Sequence, residues 1–293
     1  MKLDRLQQQR VLNSLIVLVI AALLGAFLWW HYMYSPWTRD GRVRAEVVDV
    51  AAQIAGQVVD LKVVDNQYVH KGDVLFVVDP DNYRLALADA NATLQSRQED
   101  LNLRQAEAER RSKLGAGVIS TEETQISNNL AAVAKAAYQV AVANRDVAKL
   151  NMDRTIVYSP VNGYVTNLVL RIGDYAMPGQ AKLTIIDSDS FWIAGYFDET
   201  KLSRIHIDDY TKVKLMGYDP IVEGHVESIS RGIADANATT TSIGLENVDP
   251  IFTWVRLAQR IPVRIHIDKV PKGITLAAGM TCTVVVKSGV KKK

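Results

Sequence analysis

Cysteine is almost missing from this sequence. Cys282 stands alone, so no disulfide can close within the chain and the fold must rest on packing. A surplus of one charge is missing too: 34 lysines and arginines face 32 aspartates and glutamates, net +2, without the concentrated basic face that a nucleic-acid partner would require. The only strong charge run, Lys291, Lys292 and Lys293, reads as a solvated tail. Catalytic signatures are absent as well. No G-x-S-x-G, Walker or carboxylate-dyad pattern stands in a fitting context. GAGVIS (115–120) follows helix-like rather than strand-like sequence and lacks a third glycine, which excludes a phosphate-binding loop. Histidines at 31, 70, 206, 225 and 266 show no i, i+4 pairing and no neighbouring cysteine. In the second RIHID (264–268), alternation places His266 with Arg264 and Asp268 on one strand face, the solvent face. Neither an enzyme, nor a cofactor, nor a metal site is expected.

What is present begins with a long apolar run. Residues 11–30, VLNSLIVLVIAALLGAFLWW, carry no charge. Twenty helical residues reach about 30 Å, the thickness of a bilayer core. Trp29, Trp30 and Trp37, with Tyr32 and Tyr34, crowd one end as an interfacial aromatic belt would. A cleaved signal peptide is the competing reading; the run is long for one, and bulky WWHYMY stands where small residues should precede cleavage. Residues 1–38 are accordingly read as a cytoplasmic tail and transmembrane anchor. Lys2, Arg5 and Arg10 before the span are balanced by Arg39, Arg42 and Arg44 after it, so charge barely sets orientation. One span excludes transport by this chain alone.

Residues 43–79 are valine-rich with glycine punctuation, the composition of short strands. From Asp81 to about Arg154, glycine and proline vanish except at Gly115 and Gly117, while Ala, Gln, Glu, Arg and Leu dominate. Leu87, Leu94, Leu101 and Ala108 repeat every seven residues in a first arm; Ile126, Val133, Val140 and Val147 do so in a second, with Leu130 and Ala137 between. That spacing predicts two coiled-coil helices, their apolar seams facing each other. LGAGVIS (114–120) breaks the pattern: Gly115 or Gly117 can end the first helix, and Ser120 with Glu123 has capping-box spacing for the second. The product is an antiparallel hairpin about 50 Å long.

The chain also writes one phrase twice, as YVHKGDVLFVVD (68–79) and YAMPGQAKLTIID (175–187). An offset of 107 aligns Gly56 with Gly163, Val58 with Val165, Tyr68 with Tyr175 and Gly72 with Gly179. A repeat of about thirty residues that cannot bury its own apolar face wants a partner, and here the partner is the other copy. The hairpin returns the chain so that both halves make one β-sandwich. The tail contains alternating segments FWIAGYF, KVKLMGY, EGHVESI, TWVRLAQ, IPVRIHI and MTCTVVVK, suited to a small barrel, with a loop-like stretch at 234–250.

GQVVDLKVVDNQYVHKGDVLFVVD, the hairpin and SPVNGYVTNLVLRIGDYAMPGQAKLTIID together resemble the split lipoyl domain of the HlyD, or membrane fusion, family of periplasmic adaptors. SPWTRDGRVRAE, FWIAGYFDETKL and WVRLAQRIPVRIHIDKVP resemble the subgroup that serves aromatic-acid exporters, that of the p-hydroxybenzoic acid efflux pump adaptor. The resemblance implies an elongated chain of mixed α and β structure: an N-terminal transmembrane helix (1–38), a membrane-proximal strand (39–46), a first lipoyl half (47–80), a helical hairpin (81–155, tip 114–120), a second lipoyl half (156–189), then a β-barrel and membrane-proximal β-domain (190–293). It implies a non-enzymatic adaptor of a tripartite efflux pump in the Gram-negative inner membrane, most of the chain lying in the periplasm. Its partners would be an inner-membrane exporter, a TolC-type outer-membrane channel and copies of itself, as a trimer or hexamer. Arg110, Leu114 and Ser120 match the family's Arg, Leu, Ser docking pattern in order and type, with the second spacing one residue shorter than in drug-efflux adaptors. Two other classes stay open, a carrier of covalent lipoyl or biotin and an envelope scaffold; the family's carrier hairpin, with its lysine, is replaced here by the helical insertion after Asp79 and Pro80.

Overall fold

The computed structural model describes residues 5–114, 120–233 and 258–291. The chain divides into two compact units, 46–189 and the combination of 1–45 with 190–293.

Within 46–189, β2 (Val47–Ala51), β3 (Gly56–Leu61), β4 (Tyr68–Val69) and β5 (Val74–Val78) precede two helices; β6 (Ile156–Tyr158), β7 (Gly163–Thr166), β8 (Tyr175–Ala176) and β9 (Ala181–Asp187) follow them. One sheet runs β2-β9-β7-β4 and the other β6-β5-β3-β8. Shifting each strand of the first sheet to its repeat mate yields the second sheet in the same order. Each sheet therefore takes two strands from each half, and neither half is a unit by itself. The shared core includes Val58, Leu75, Phe76, Val165, Leu183 and Ile185, all nearly or fully buried.

The glycines explain the repeated wording. A Cβ on Gly163 would lie 2.0 Å from the Ile186 carbonyl oxygen, and one on Gly56 would lie 2.6 Å from Val78 Cγ1, so both mark a close approach. Gly72 (φ +94°) and Gly179 (φ +77°) share a left-handed turn in open space. A further equivalence was hidden in the sequence: Asn66 (φ 62°) does at the first copy what Gly173 (φ +98°) does at the second. Both turns are clasped alike, by Val64 N–H donating to Gln67 Oε1 (2.9 Å) and Arg171 N–H donating to Asp174 Oδ2 (2.9 Å). Asp79 and Asp187, which close the two copies, each accept from the N–H two residues on.

α2 (Asp81–Lys113) and α3 (Thr121–Asp153) pack against each other. Leu101 and Ala108 are buried on α2, as the heptad predicts. On α3 the expected seam is wrong. Ser127, Ala134 and Ala141 are buried, whereas Ile126, Leu130, Val133, Val140 and Val147 are exposed, Val133 at 66%. Both stripes repeat every seven residues. A leucine-bearing stripe on the first arm leaves room only for small residues on the second, so close approach selects alanine and turns the valines outward.

In the other unit, β1 (Trp37–Arg44) joins β10 (Trp192–Asp198), β11 (Asp209–Leu215), β12 (Ile221–Ile229), β13 (Arg260–Lys269) and β14 (Thr281–Lys291) in a closed barrel of order β1-β10-β13-β12-β11-β14. Val43, Phe197, Val213, Val222, Ile265 and Val284 fill it. The expected division into a membrane-proximal strand, a barrel and a further β-domain is thus corrected: 39–46 contributes a barrel strand, and all described strands after 190 close that same barrel. TWVRLAQ (253–259) falls largely outside the described residues. Burial pushes the Cys282 thiol up to about 12, so it stays protonated and unreactive near neutral pH. His266 is exposed as expected, but the side chain of Asp268, expected on the same solvent face, is only 15% exposed and lies 2.9 Å from His225 Nδ1. Among the described residues no group of three or more His, Cys, Asp and Glu could hold a metal.

α1 (Arg5–Tyr34) is one 30-residue helix. Among the described residues, no helix is long and apolar enough to cross a membrane. Trp29 is 69% exposed; the side chain of Trp30 lies outside the described residues.

Candidate functional site: the hairpin tip

The tip is built by two helix ends. α2 closes with Arg110, Arg111 and Lys113 in its last turn, cations placed where the carbonyl end of the helix favours them. Leu114 is the C-cap, its N–H donating to the Arg111 oxygen (3.3 Å), and more than half of its side chain faces solvent. Gly115 and Gly117, expected to supply the turn, lie outside the described residues. Ser120 opens α3 with a complete capping box: Ser120 Oγ accepts from Glu123 N–H (3.1 Å), and Glu123 Oε2 accepts from Ser120 N–H (3.4 Å). Arg110 and Ser120 are exposed. Among its described residues the tip offers an exposed leucine, a guanidinium and a hydroxyl, groups suited to an interface.

Ser120 has a structural duty that measurement can separate from any other. Ser120→Ala should cost about 1 kcal/mol of local helix stability. It should raise amide exchange in the first turn of α3 and leave the sandwich strands unchanged; equal exchange in both proteins would remove the cap from the account.

Two family models match: the alpha-helical hairpin domain of the pHBA AAEA subunit over residues 81–153, and the AAEA-like beta-barrel domain over 190–287. The chain belongs to the HlyD/membrane fusion family of periplasmic adaptors, close to the pHBA subgroup. Among curated relatives, the adaptor is 41% identical over 274 residues to "Uncharacterized protein YdhJ" of Escherichia coli (strain K12), covering 94% of this chain and 96% of that one. Among solved structures, its fold matches the membrane fusion protein Spr0693 from Streptococcus pneumoniae R6 (TM-score 0.64, 16% identity, 87% of this chain and all of that one). A MacA-MexA chimeric protein containing the Pseudomonas aeruginosa MexA α-hairpin domain matches at TM-score 0.61 and 21% identity, covering 88% of this chain and 84% of that one. Membrane fusion proteins are the periplasmic adaptor family of tripartite efflux pumps. Sequence reading misplaced one stripe on α3: its second seven-residue series was assigned to the buried face, and the structure turns it outward.

Proposed function

We propose that this adaptor couples an inner-membrane exporter to a TolC-type outer-membrane channel and that its cargo is aromatic carboxylic acids or related small toxic compounds. The observation that carries the reading is the helix pair α2 and α3 inserted between two interleaved sandwich halves, together with its match to the pHBA adaptor hairpin. The mechanism is mechanical: copies assemble into a sealed conduit and the exporter supplies the energy. Residues 11–30 anchor the chain once in a Gram-negative inner membrane, with the bulk in the periplasm. A helix on which Leu15, Val17, Leu18, Leu23 and Phe27 are all 59–68% exposed is best accommodated in an apolar surrounding, which supports that anchor. Arg110, Leu114 and Ser120 meet the channel. Deleting the gene should reduce export of hydroxybenzoates, and unchanged efflux would count against the adaptor role for that cargo.

Self-assembly as a trimer or hexamer uses the outward stripe of α3. Ile126, Val133, Val140 and Val147 repeat as a second heptad seam that the described residues leave 47–66% exposed. Val133→Glu with Val140→Glu should leave the melting temperature nearly unchanged, because both side chains already face water. The same pair should convert the assembled species to monomer in light scattering. An intact oligomer would assign assembly to another face.

A further inference from the structure

The β1–β14 register shifts between Thr38 and Gly41, a bulge that re-aims Arg39 and Asp40. Asp40 N–H donates to Thr38 Oγ1 (3.1 Å), and Thr38 Oγ1 donates to the Tyr196 carbonyl (2.6 Å), which pins the bulge to β10. Beside it opens a cavity of about 750 Å³, a volume typical of small-ligand sites, whose walls include Trp37, Arg39, Arg42, Lys201, Met216 and Arg260.

Its charges do not cancel. Four cations, Arg39, Arg42, Lys201 and Arg260, meet two carboxylates, Asp40 and Asp198. Asp40 Oδ2 accepts from Arg260 Nη1 at 2.7 Å while its other oxygen stays 3.9 Å from Arg42 Nε; Asp198 lies 3.3 Å from Lys201 Nζ. Two positive charges are left over. Among the described residues Arg39 has no carboxylate partner and instead lies 5.3 Å from the Trp37 ring centre, as does Lys201. Lys201 Nζ also donates to the Trp37 carbonyl (3.3 Å), and its side chain is only 16% exposed. The indole thus holds two cations in place before any ligand arrives. Guanidinium forks bind phosphate oxygens in pairs, and pre-placed cations do so without first losing rotamer freedom.

We propose that this cavity binds a phosphate group, supplied by a lipid headgroup. Phosphate recognition follows from the surplus charge and the arginine geometry. The choice of a lipid rests on the anchor reading: Trp37 follows the last residue of α1 by three positions, which would hold the cavity at headgroup level, and Met216 is 87% exposed at its rim. Asp40 is the built-in competitor that an entering phosphate must displace from Arg260 and, at longer range, from Arg42.

The test uses the full chain in a neutral detergent, titrated by native mass spectrometry with short-chain phosphatidylglycerol, the matching diacylglycerol without phosphate, and inorganic phosphate. Saturable binding of phosphatidylglycerol and none of diacylglycerol is expected. Arg39→Gln with Arg42→Gln should weaken it at least tenfold, whereas Asp40→Asn should tighten it severalfold. Inorganic phosphate binding as tightly as the lipid, with the same dependence on these residues, would keep the phosphate site and overturn the lipid as its source. Absence of binding, indifference to the arginine pair, or weakening by Asp40→Asn overturns the proposal. None of these results touches channel docking, which is read separately at Leu114.

Discussion

Gly163→Ala is expected to unfold the sandwich, or to destabilise it by more than about 3 kcal/mol, the largest single-site effect in residues 46–189. The added Cβ would sit 2.0 Å from the Ile186 carbonyl oxygen and 2.9 Å from its carbon. Those atoms belong to the paired strand β9, in register Gly163↔Asp187 and Tyr164↔Ile186, so relief requires the β7–β9 ladder to part. Gly56→Ala, its repeat mate, meets only Val78 Cγ1 at 2.6 Å, a side-chain atom whose shift should cost about 1–3 kcal/mol. Gly72→Ala and Gly179→Ala meet no atom and bear only the left-handed backbone cost, about 1–2 kcal/mol each. Hydrogen exchange over 156–187 in the full chain measures the series. Since each sheet mixes both halves, Gly163→Ala should also lower protection in β2 and β4, which join β9 and β7 in one sheet. Parity between Gly163→Ala and Gly56→Ala would show that the backbones do not approach so closely.

That ranking also marks where the sequence was readable. The offset of 107 aligned Gly56 with Gly163 because close approach admits only hydrogen in place of Cβ, and Gly72 with Gly179 because both take a left-handed turn that favours glycine. The Asn66 and Gly173 equivalence stayed hidden because asparagine tolerates the same left-handed turn and carries a different letter. Helix ends were legible at Ser120, where capping needs a named side chain at a named spacing. The α3 seam was not, because two stripes share the heptad period and apolarity alone favoured the valines; the choice was made by the leucines of the other helix, a tertiary fact. Barrel closure by residues 37–44 was equally illegible, since pairing of β1 with β10 and β14 joins segments about 150 and 245 residues apart and no local alternation encodes it. The cationic cavity draws its charges from 39–42, 201 and 260, and no window of sequence contains it.

Leu114→Glu is expected to remove channel capture almost completely while leaving the fold intact. An exposed leucine at a helix end contributes little to its own chain, so the folding cost should stay within about 1 kcal/mol, including the mismatch of an anion with the carbonyl end of α2. Its value would be realised only in a joint. Burying one leucine in an apolar pocket contributes about 1.5–3 kcal/mol, and a carboxylate in its place replaces that gain with a desolvation penalty. In the proposed assembly each copy would repeat the loss and linked contacts would fail together, so a modest change per tip would become an all-or-none change in capture. A photocrosslinker at position 113, exposed beside the knob and outside the docking trio, reads this in cells without requiring the cargo to be known: the chain with Leu114 intact should capture an outer-membrane channel, and Leu114→Glu should cut the yield at least tenfold. Leu114→Ala should fall between them, because it loses the buried area without adding charge. Ser120→Ala, which removes a cap but not the knob, should capture nearly as well as the unmodified chain. Full capture by Leu114→Glu would mean that the knob enters no pocket, and the hairpin would then have to meet its channel along the helices rather than at the tip.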